Sequence, residues 1–513
     1  MPYKEIMSFR GGINWHDPAW AKSFEDSKQC ILMQNYRYHN QFVESIPGSI
    51  KHHGTSFGTD PVTAILPYYN DQTDEFKLLA ACGDKLYLKD EASNEFSVIA
   101  DALSPNSIFG SDQRYEVLYI PSIKDGLKKY LGGTQIERVG GGSTQAGNFR
   151  QVLYMKEIDR MFGISDDAIF GQITWCNIGD PETWDGANVQ RFKLKKGERV
   201  ECGGILYGKL IVFCTYTIWI YYVSGNEENW KLEEAPTTVG CVAPNTLRKV
   251  SNELWFLGDS PQYELGVFSF NGTTCKYLTH DIAPLFKRNN KNNLRNACAE
   301  VHDNMYTVSF AHDASEVNDW SIDLDLIHYK EDGTPAIYGP HTFGFYSSCV
   351  LNNRQSNREF LMGSENEGFI YKEGGTSFKS TNGLDGKLIE NRFLSRVMNE
   401  DKLSVLKQYG GVSVFFRPRG YFNAKVRYYI SNGTYPTDHT FNPVDQTNIY
   451  EKRMLGVPGM SEWQDYLELS AQGTSIQMEI LNDVLNGRPD FDGIKYSYEE
   501  LYETRKIQSA YAQ

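Results

Sequence analysis

The sequence predicts an all-β chain: a β-propeller of about six blades with an N-terminal extended arm and a C-terminal β-sandwich. Three observations lead to this prediction. Aromatic residues make up 13% of the 513 residues, and they favour pleated, half-buried surfaces. Short apolar runs bounded by turn residues recur at intervals of about 40 to 60 residues, close to the spacing of propeller blades. Long helical patterns are scarce.

The clearest blade-like unit lies within residues 173–230. Two apolar runs, 206–214 and 216–223, have the length and composition of strands, and Gly208 and Gly225 supply turns at their ends. Weaker copies of this pattern occupy the segments 77–90, 115–122, 254–272, 299–313 and 360–375. Repetition of one supersecondary unit predicts a radial array of small antiparallel sheets.

The pattern divides the chain into three segments. Residues 1–50 contain paired glycines and scattered aromatics without periodicity, which predicts an extended arm that adds to neighbouring sheets. Residues 51–378 hold the repeated units and form the predicted propeller. Residues 379–513 carry longer alternating strands, which predict a separate β-sandwich. The alternation is clearest at Val412, Val414 and Phe416 and at Ile476, Met478 and Ile480.

Composition narrows the function classes. The formal net charge of −14 argues against a surface that binds nucleic acid tightly. It does not exclude an acidic conduit through which DNA slides without sequence-specific binding. The nine cysteines include no C-x-x-C pair, so we expect reduced, buried thiols. No run approaches the roughly 18 apolar residues of a membrane span, so we expect a soluble protein made in a cytoplasm, without stable membrane insertion.

No catalytic motif stands out in the sequence. Nucleotide-binding, zinc, calcium and nucleophile-elbow signatures are missing, and we predict no catalytic residue, no cofactor and no metal site. The acidic pairs Asp166/Asp167 and Asp323/Asp325 are expected to be solvated or to lie in turns. A sialidase-type glycosidase would show repeated S-x-D-x-G-x-T-W motifs, of which residues 224–230 hold only a poor copy.

The strongest motif is structural. In the sequence GDPETWD, Asp180 and Pro181 are expected to open a turn, Trp184 to anchor it by packing, and Asp185 to close the motif. From the residues alone, this motif predicts a packed loop beside a blade.

Three parts of the chain resemble the propeller-bearing tail hub or nozzle proteins of short-tailed phages, also called packaged-DNA stabilisation proteins or tail tubular protein B. The first is FRGGIN with Gly11 and Gly12, followed by residues 32–49. The second is NIGDPETWDGAN with the strands after it, and the third comprises residues 339–350 and the end of the sandwich. The chain departs from the family pattern at two points. Ser45-Ile46 stand where the family has a basic residue, and the length of the chain is closer to that of the shorter hub proteins.

The resemblance implies a virion protein of the phage tail, synthesised in the host bacterial cytoplasm, with no enzymatic activity. It would form a homohexameric ring that extends the DNA channel below the head-to-tail adaptor proteins. It would retain the packaged DNA and carry the next tail component, a needle, fibre or spike protein. The alternatives are a carbohydrate-binding tail propeller that adheres to the host and, less favoured, a propeller glycosidase.

Two segments are candidate interfaces in such a ring. We expect the aromatics Phe9, Trp15 and Trp20 to be exposed and to dock across a subunit boundary, and residues 1–20 to be dispensable for the fold. Arg417 and Arg419 concentrate positive charge in an acidic chain. They suggest an interface or lumen role, with a solvated hairpin tip as the alternative.

Overall fold

The computed structural model describes residues 3–18, 28–39, 41–90, 92–108, 110–140, 146–167, 169–352, 358–375, 387–400, 402, 404–418, 424–430, 439–441, 463–482 and 489–503. These residues form 40 strands and one short helix, α1 (Ala283–Phe286). Single 3₁₀ turns occur at Lys156–Ile158, Glu227–Asn229, Pro244–Thr246, His280–Ile282 and Leu294–Asn296. No helix among the described residues is long and apolar enough to cross a membrane.

The chain forms two compact bodies. The first consists of residues 1–50, 321–342 and 374–513, and the second of residues 51–320 and 343–373. The first strands of the chain are β1 (Tyr3–Met7), β2 (Leu32–Gln34), β3 (Tyr36–His39), β4 (Phe42–Ser45) and β5 (Ser49–Lys51).

The second body begins with five complete antiparallel sheets. The first is β6 (Val62–Asn70), β7 (Glu75–Cys82), β8 (Lys85–Asp90) and β9 (Glu95–Ala100). The second is β10 (Asp112–Arg114), β11 (Val117–Ile120), β12 (Lys128–Tyr130) and β13 (Ile136–Arg138). The third is β14 (Gln151–Met155), β15 (Arg160–Asp166), β16 (Phe170–Trp175) and β17 (Val189–Lys193). The fourth is β18 (Val200–Leu206), β19 (Lys209–Cys214), β20 (Ile218–Tyr222) and β21 (Lys231–Glu234). The fifth is β22 (Gly240–Cys241), β23 (Arg248–Val250), β24 (Glu253–Asp259), β25 (Gly266–Phe270) and β26 (Cys275–Tyr277).

Two further units complete this body. The sixth contributes the hairpin of β27 (Cys298–His302) and β28 (Met305–Phe310). The seventh contributes β31 (Ser347–Asn352), β32 (Arg358–Gly363) and β33 (Ile370–Glu373). The intervening hairpin, β29 (Trp320–Tyr329) with β30 (Pro335–His341), lies in the first body apart from Trp320.

Buried apolar clusters join each unit to the next. One cluster brings residues of the first and second sheets together, and three others link the second sheet to the third, the third to the fourth and the fourth to the fifth. The fifth and sixth meet where Tyr306 Oη donates to the Thr246 carbonyl over 2.7 Å, and Cys298 of the sixth packs in a cluster with Phe360 of the seventh.

The last cluster closes the circle. Val62 and Leu78 of the first sheet share a core with Leu361 and Ile370 of the seventh. A chain of small meander sheets whose last member packs on its first is a β-propeller, which confirms the predicted fold class. The described residues contribute to seven units, one more than the number of blades estimated from the sequence.

The first body is a β-sandwich. Its remaining strands are β34 (Asn391–Leu394), β35 (Val405–Pro418), β36 (Ala424–Ile430), β37 (His439–Phe441), β38 (Trp463–Gly473), β39 (Ile476–Asn482) and β40 (Pro489–Glu503). One sheet has the order β3-β4-β40-β35-β38, with β1 also paired to β40. The other has the order β2-β34-β39-β36-β37. Phe393 of the second sheet meets Phe491 of the first with ring centroids 4.9 Å apart, so the two sheets pack face to face.

The N-terminal strands are integral to this sandwich. Strand β1 pairs with β40 from Tyr3↔Ser497 to Met7↔Gly493, and Phe9 is 2% exposed, packed against Phe393 at 4.8 Å. The expectation that residues 1–20 are dispensable for the fold is therefore wrong, because their removal would take a strand and a core phenylalanine from the sandwich.

Candidate functional site

The seven units surround one cavity of about 460 Å³. Each unit contributes its innermost strand or the loop beside it, so the cavity occupies the central channel of the propeller. Its polar uncharged lining consists of Thr63, Asn106, Ser111, Gln151, Asn245, Asn296, Tyr346, Ser347 and Ser348. Ligand pockets in proteins typically measure about 300–1,000 Å³, so this cavity has room for a small molecule.

Arginine dominates the charge of this cavity. Arg150, Arg248 and Arg295 line it together with a single acidic residue, Glu201, which gives the lining a formal charge of +2 in a chain of net charge −14. Clefts lined by one sign of charge concentrate ions of the opposite sign. In this cavity each arginine is offset by a carboxylate, because Arg150 pairs with Asp166, Arg248 with Glu300 and Arg295 with Glu201.

Arg248 is held firmly in place. Its Nε and Nη2 lie 3.1 and 3.3 Å from the two carboxylate oxygens of Glu300, and Nη2 also donates to Ser348 Oγ over 3.2 Å. Burial opposes the charge of Arg248, but the negative charge of Glu300 outweighs it and raises the pKa of the guanidinium. Arg248 thus braces the wall between the fifth, sixth and seventh units.

Arg295 and Glu201 form an ion pair between the sixth and fourth units. Arg295 Nη2 lies 2.8 Å from Glu201 Oε2, and Arg199 Nε lies 3.6 Å from Glu201 Oε1. Burial lowers the pKa of Arg295, and the positive charges of Arg150 and Arg199 lower it further, whereas Glu201 raises it. Glu201 is therefore shared by two cations, Arg295 and Arg199.

Arg150 has an unsatisfied donor. Its Nη2 lies 3.0 Å from Asp166 Oδ1, while Asp166 Oδ2 accepts a hydrogen bond from the Val200 amide over 3.1 Å. The Nε of Arg150 is buried and has no hydrogen-bond partner among the described groups. Leaving a buried donor unpaired typically costs about 1–3 kcal/mol.

The wall beside Arg150 is rigid. Gln151 donates through Nε2 to the Gly203 carbonyl over 3.1 Å and accepts from the Gly203 amide through Oε1 over 2.8 Å. A Cβ on Gly203 would lie 2.3 Å from Ile164 Cδ1, so a side chain at this position would disturb the contact between the third and fourth sheets.

The cysteines of the cavity are poor nucleophiles. Burial raises the pKa of Cys298 to about 11 and that of Cys202 well above its usual range. A thiol that stays protonated is unreactive. Eight of the nine cysteines are buried, as predicted, and Cys275 is half-buried. Within the described ranges, no group of three or more His, Cys, Asp or Glu side chains could hold a metal ion.

The GDPETWD motif lies outside the cavity, in the connection between β16 and β17. Asp180 Oδ1 accepts the Glu182 amide over 3.1 Å, and Asp185 Oδ1 accepts the Ala187 amide over 2.9 Å, so both aspartates stabilise turns. Pro181 is buried, and its carbonyl accepts the Trp184 indole N–H over 2.8 Å. The buried Trp184 ring packs on Phe149 with centroids 4.8 Å apart.

The glycine pair near the N-terminus serves a close backbone contact. Gly12 has φ +73°, and a Cβ there would lie 2.2 Å from the Ile337 carbonyl oxygen. Gly11 is buried next to it and donates its amide to the Lys28 carbonyl over 3.2 Å. Gly12 therefore allows the chain to pass directly against the backbone of β30.

The predicted interface aromatics are less exposed than the sequence suggested. Phe9 is in the sandwich core, and Trp15 is half-buried with its indole N–H donated to the Ile31 carbonyl over 2.5 Å. Trp20 and Arg419 lie outside the described residues. Of Arg417, in β35, only the backbone is described, and it pairs with Asp490 of β40.

The acidic pair Asp323/Asp325 is not solvated, contrary to the sequence-based expectation. Asp325 is 1% exposed and accepts hydrogen bonds from Tyr338 Oη over 2.8 Å and from the Ile327 amide over 2.7 Å. Asp323 is 4% exposed and lies 3.2 Å from His341 Nε2. Both carboxylates are structural groups inside the first body.

Sequence reasoning missed the three cavity arginines. Each lies at the start of an innermost strand or in the short connection before it, as in FRQVLY, LRKV and LRNACAE. An arginine at the entry to three of the seven repeated units is a signal that the sequence contains, but only closure of the ring shows that these positions converge.

Comparison with known proteins finds neither a matching family model nor a matching curated protein. Solved structures give weak likenesses. The computationally designed Ika8 protein is 10% identical with a TM-score of 0.36, covering 64% of this chain and 99% of its own. BamB from Moraxella catarrhalis is 12% identical with a TM-score of 0.39, covering 66% and 94%. The extracellular domain of a hybrid two-component system from B. thetaiotaomicron is 8% identical with a TM-score of 0.33, covering 84% and 48%. These scores carry no argument, so the propeller assignment rests on the pairing and packing of this chain.

Proposed function

We propose that this protein is a structural, non-enzymatic subunit of the tail of a short-tailed phage. It assembles into a ring, a hexamer by the resemblance, that extends the DNA channel and retains the packaged genome. Its partners are head-to-tail adaptor proteins and a distal needle, fibre or spike protein. It is made in the host cytoplasm and resides in the virion.

The use of the motif residues supports this proposal. The positions that carry the resemblance to tail hub proteins act in packing: Gly12 admits a close backbone contact, and Trp184 fills the core between the second and third sheets. A protein that transmits force and holds a channel open needs residues that keep its strands and sheets in a fixed arrangement. The fold agrees with the resemblance, because it combines a propeller with a sandwich built from both terminal segments.

A propeller subunit of a ring needs a contact surface for its neighbouring copies, and turns at one end of its sheets carry several exposed apolar side chains. In a meander sheet, the turns after the first and third strands lie at the same end. Four such turns in the second, third and fourth sheets carry exposed apolar residues: Tyr115, Leu131, Ile178 and Tyr207, exposed by 49–69%. The other end carries three such residues, Ile169, Tyr216 and Tyr263, exposed by 48–57%, so the end with four is the better candidate assembly surface. We call this end of the sheets, with Tyr115, Leu131, Ile178 and Tyr207, the hairpin face.

The acidity of the chain suits passage of DNA. With a net charge of −14, the protein repels phosphate on average, which keeps a duplex mobile in the lumen of a ring. This argument supports a conduit and gives no sequence specificity.

Native mass spectrometry of the full-length chain, with negative-stain images of the same sample, tests the proposal. A closed ring with a central hole is expected. The double variant Tyr115→Ser/Ile178→Ser should weaken ring formation, whereas Tyr216→Ser/Tyr263→Ser should not, because these exposed residues lie in turns at the opposite end of the sheets. A monomer at every concentration contradicts a self-assembling ring.

A second candidate function is adhesion to host glycans. The observation in its favour is the exposure of tyrosines on the hairpin face, where Tyr115 stands beside Arg114, whose guanidinium lies 4.7 Å from the ring centroid. A tyrosine ring can pack on the apolar face of a sugar while its hydroxyl group forms hydrogen bonds. Saturable binding to host surface glycans without turnover would favour adhesion, and release of sugar would favour the glycosidase alternative.

A further inference from the structure

We propose that the central cavity of the propeller binds a small molecule bearing phosphate or carboxylate groups, and that Arg150 and Arg295 hold it. This inference concerns the inside of one propeller and is independent of the tail function proposed above.

The first argument is convergence. Arg150 comes from the connection before the third sheet and Arg295 from the connection before the sixth unit, yet both border the same cavity. The planar guanidinium matches the geometry of phosphate and carboxylate oxygens and binds them through two parallel hydrogen bonds. Arginines arriving from separate parts of a ring can contact one anion from different directions.

The second argument is incomplete pairing. Arg248, which braces the wall, uses four of its five N–H donors, on Glu300, Ser348 and the Leu247 carbonyl. Arg150 instead makes one side-chain hydrogen bond among the described groups, from Nη2 to Asp166 Oδ1 over 3.0 Å. Arg295 makes one contact of 2.8 Å to Glu201, which Arg199 also approaches. Both arginines therefore have capacity for an acceptor.

The third argument is the rest of the lining. Ser111, Asn106 and Asn296 place neutral hydrogen-bonding groups around the arginines. Glu201, the one acidic side chain among the described lining residues, is engaged by Arg295. The cavity volume of about 460 Å³ exceeds what one inorganic phosphate fills, so a small organic phosphate or a polycarboxylate also fits.

Isothermal titration calorimetry of the full chain tests the proposal, in a low-chloride buffer, with inorganic phosphate in one arm and citrate in the other. Saturable binding in either arm that weakens as ionic strength rises is expected. The arm with the tighter binding identifies phosphate or carboxylate as the preferred group. Failure of both arms to saturate would overturn the proposal.

Variants place the binding in the cavity. Arg295→Gln and Arg150→Gln should each weaken binding about tenfold or more, the effect of losing one charge-assisted hydrogen bond to the ligand. The control is Arg191→Gln, the same substitution at an exposed position of β17. Equal weakening by the control would show a nonspecific charge effect and reject the site.

A further variant covers the case in which removal of an arginine unfolds the protein. Ser111→Asp changes the net charge by the same amount as Arg191→Gln, but it leaves every arginine pair intact and puts a carboxylate into the lining. It should abolish binding of both anions while the thermal unfolding midpoint stays near that of the parent. Unchanged binding in this variant would exclude the cavity.

Discussion

At the scale of single residues, Gly12 shows how one backbone conformation fixes a contact between distant segments. Its φ of +73° is strained for other residues, and the Ile13 amide beside it donates to the Ile337 carbonyl over 2.8 Å. We expect Gly12→Ala to lower the free energy of unfolding by about 2 kcal/mol, since the strain alone costs about 1–3 kcal/mol and the new Cβ meets backbone. Urea unfolding measures this.

Gly133→Ala is the matched control for this substitution. Gly133 is exposed, and a Cβ there would meet nothing within 4 Å. Its unfolding free energy should stay close to that of the parent. Similar losses in the two variants would show that the close approach at Gly12 is unimportant for stability.

His52 gives the propeller a dependence on pH. The side chain is 9% exposed, and burial, with added repulsion from Lys89, lowers its pKa from 6.5 to about 3. Between these pH values the unfolded chain binds a proton that the folded chain does not. Stability therefore falls as pH drops through this window. His52→Gln removes the titrating group, so its unfolding free energy should fall less steeply from pH 6.5 toward pH 3 in urea titrations. Parallel curves would refute this assignment.

At the scale of elements, the GDPETWD loop acts as a packed insertion between sheets. Trp184 is 3% exposed within the cluster that joins the second and third sheets, whereas Ile178 in the same loop is 69% exposed. Trp184→Ala should destabilise the protein by about 3–5 kcal/mol, as for other buried aromatics. Ile178→Ala should change stability by less than about 0.5 kcal/mol. Thermal and urea unfolding of both variants measures the contrast, and comparable losses would contradict a packing role for the indole.

Repetition made the sheets predictable from sequence. Apolar runs such as Leu206 to Cys214 have strand composition and turn residues at their ends, and these local signals do not depend on distant contacts. The number of units was harder to predict because short strands, such as Lys128–Tyr130 and Ile136–Arg138, offer only three residues of pattern each.

Features that depend on distant partners were not predictable. Phe9 and Asp325 seemed exposed because neither lies in a clear alternating pattern, but the first is covered by Phe393 and the second is bound by Tyr338. The central cavity is a further case, because Arg150, Arg248 and Arg295 lie in three different units of the sequence and converge only when the ring closes. Burial and convergence are tertiary properties that a local pattern does not encode.

At the scale of the whole molecule, closure of the ring should make the propeller unfold cooperatively. In an open array of repeats, each unit contacts only its neighbours, and a local substitution has local effects. Here the core shared by Val62, Leu78, Leu361 and Ile370 joins the seventh unit to the first, so the array has no free end.

Leu361→Ala tests this property. It removes a fully buried side chain at the closure and should cost about 2–5 kcal/mol. Hydrogen exchange followed by mass spectrometry should then show faster exchange in β15 and β19, three sheets away, as well as in β32 itself, because opening of the ring exposes every unit. Val98→Ala, at a 48% exposed position of the first sheet, should leave exchange in all these strands unchanged. Acceleration confined to β32 and its neighbours would mean that the units open independently, as in a linear repeat array, and that closure adds no cooperativity.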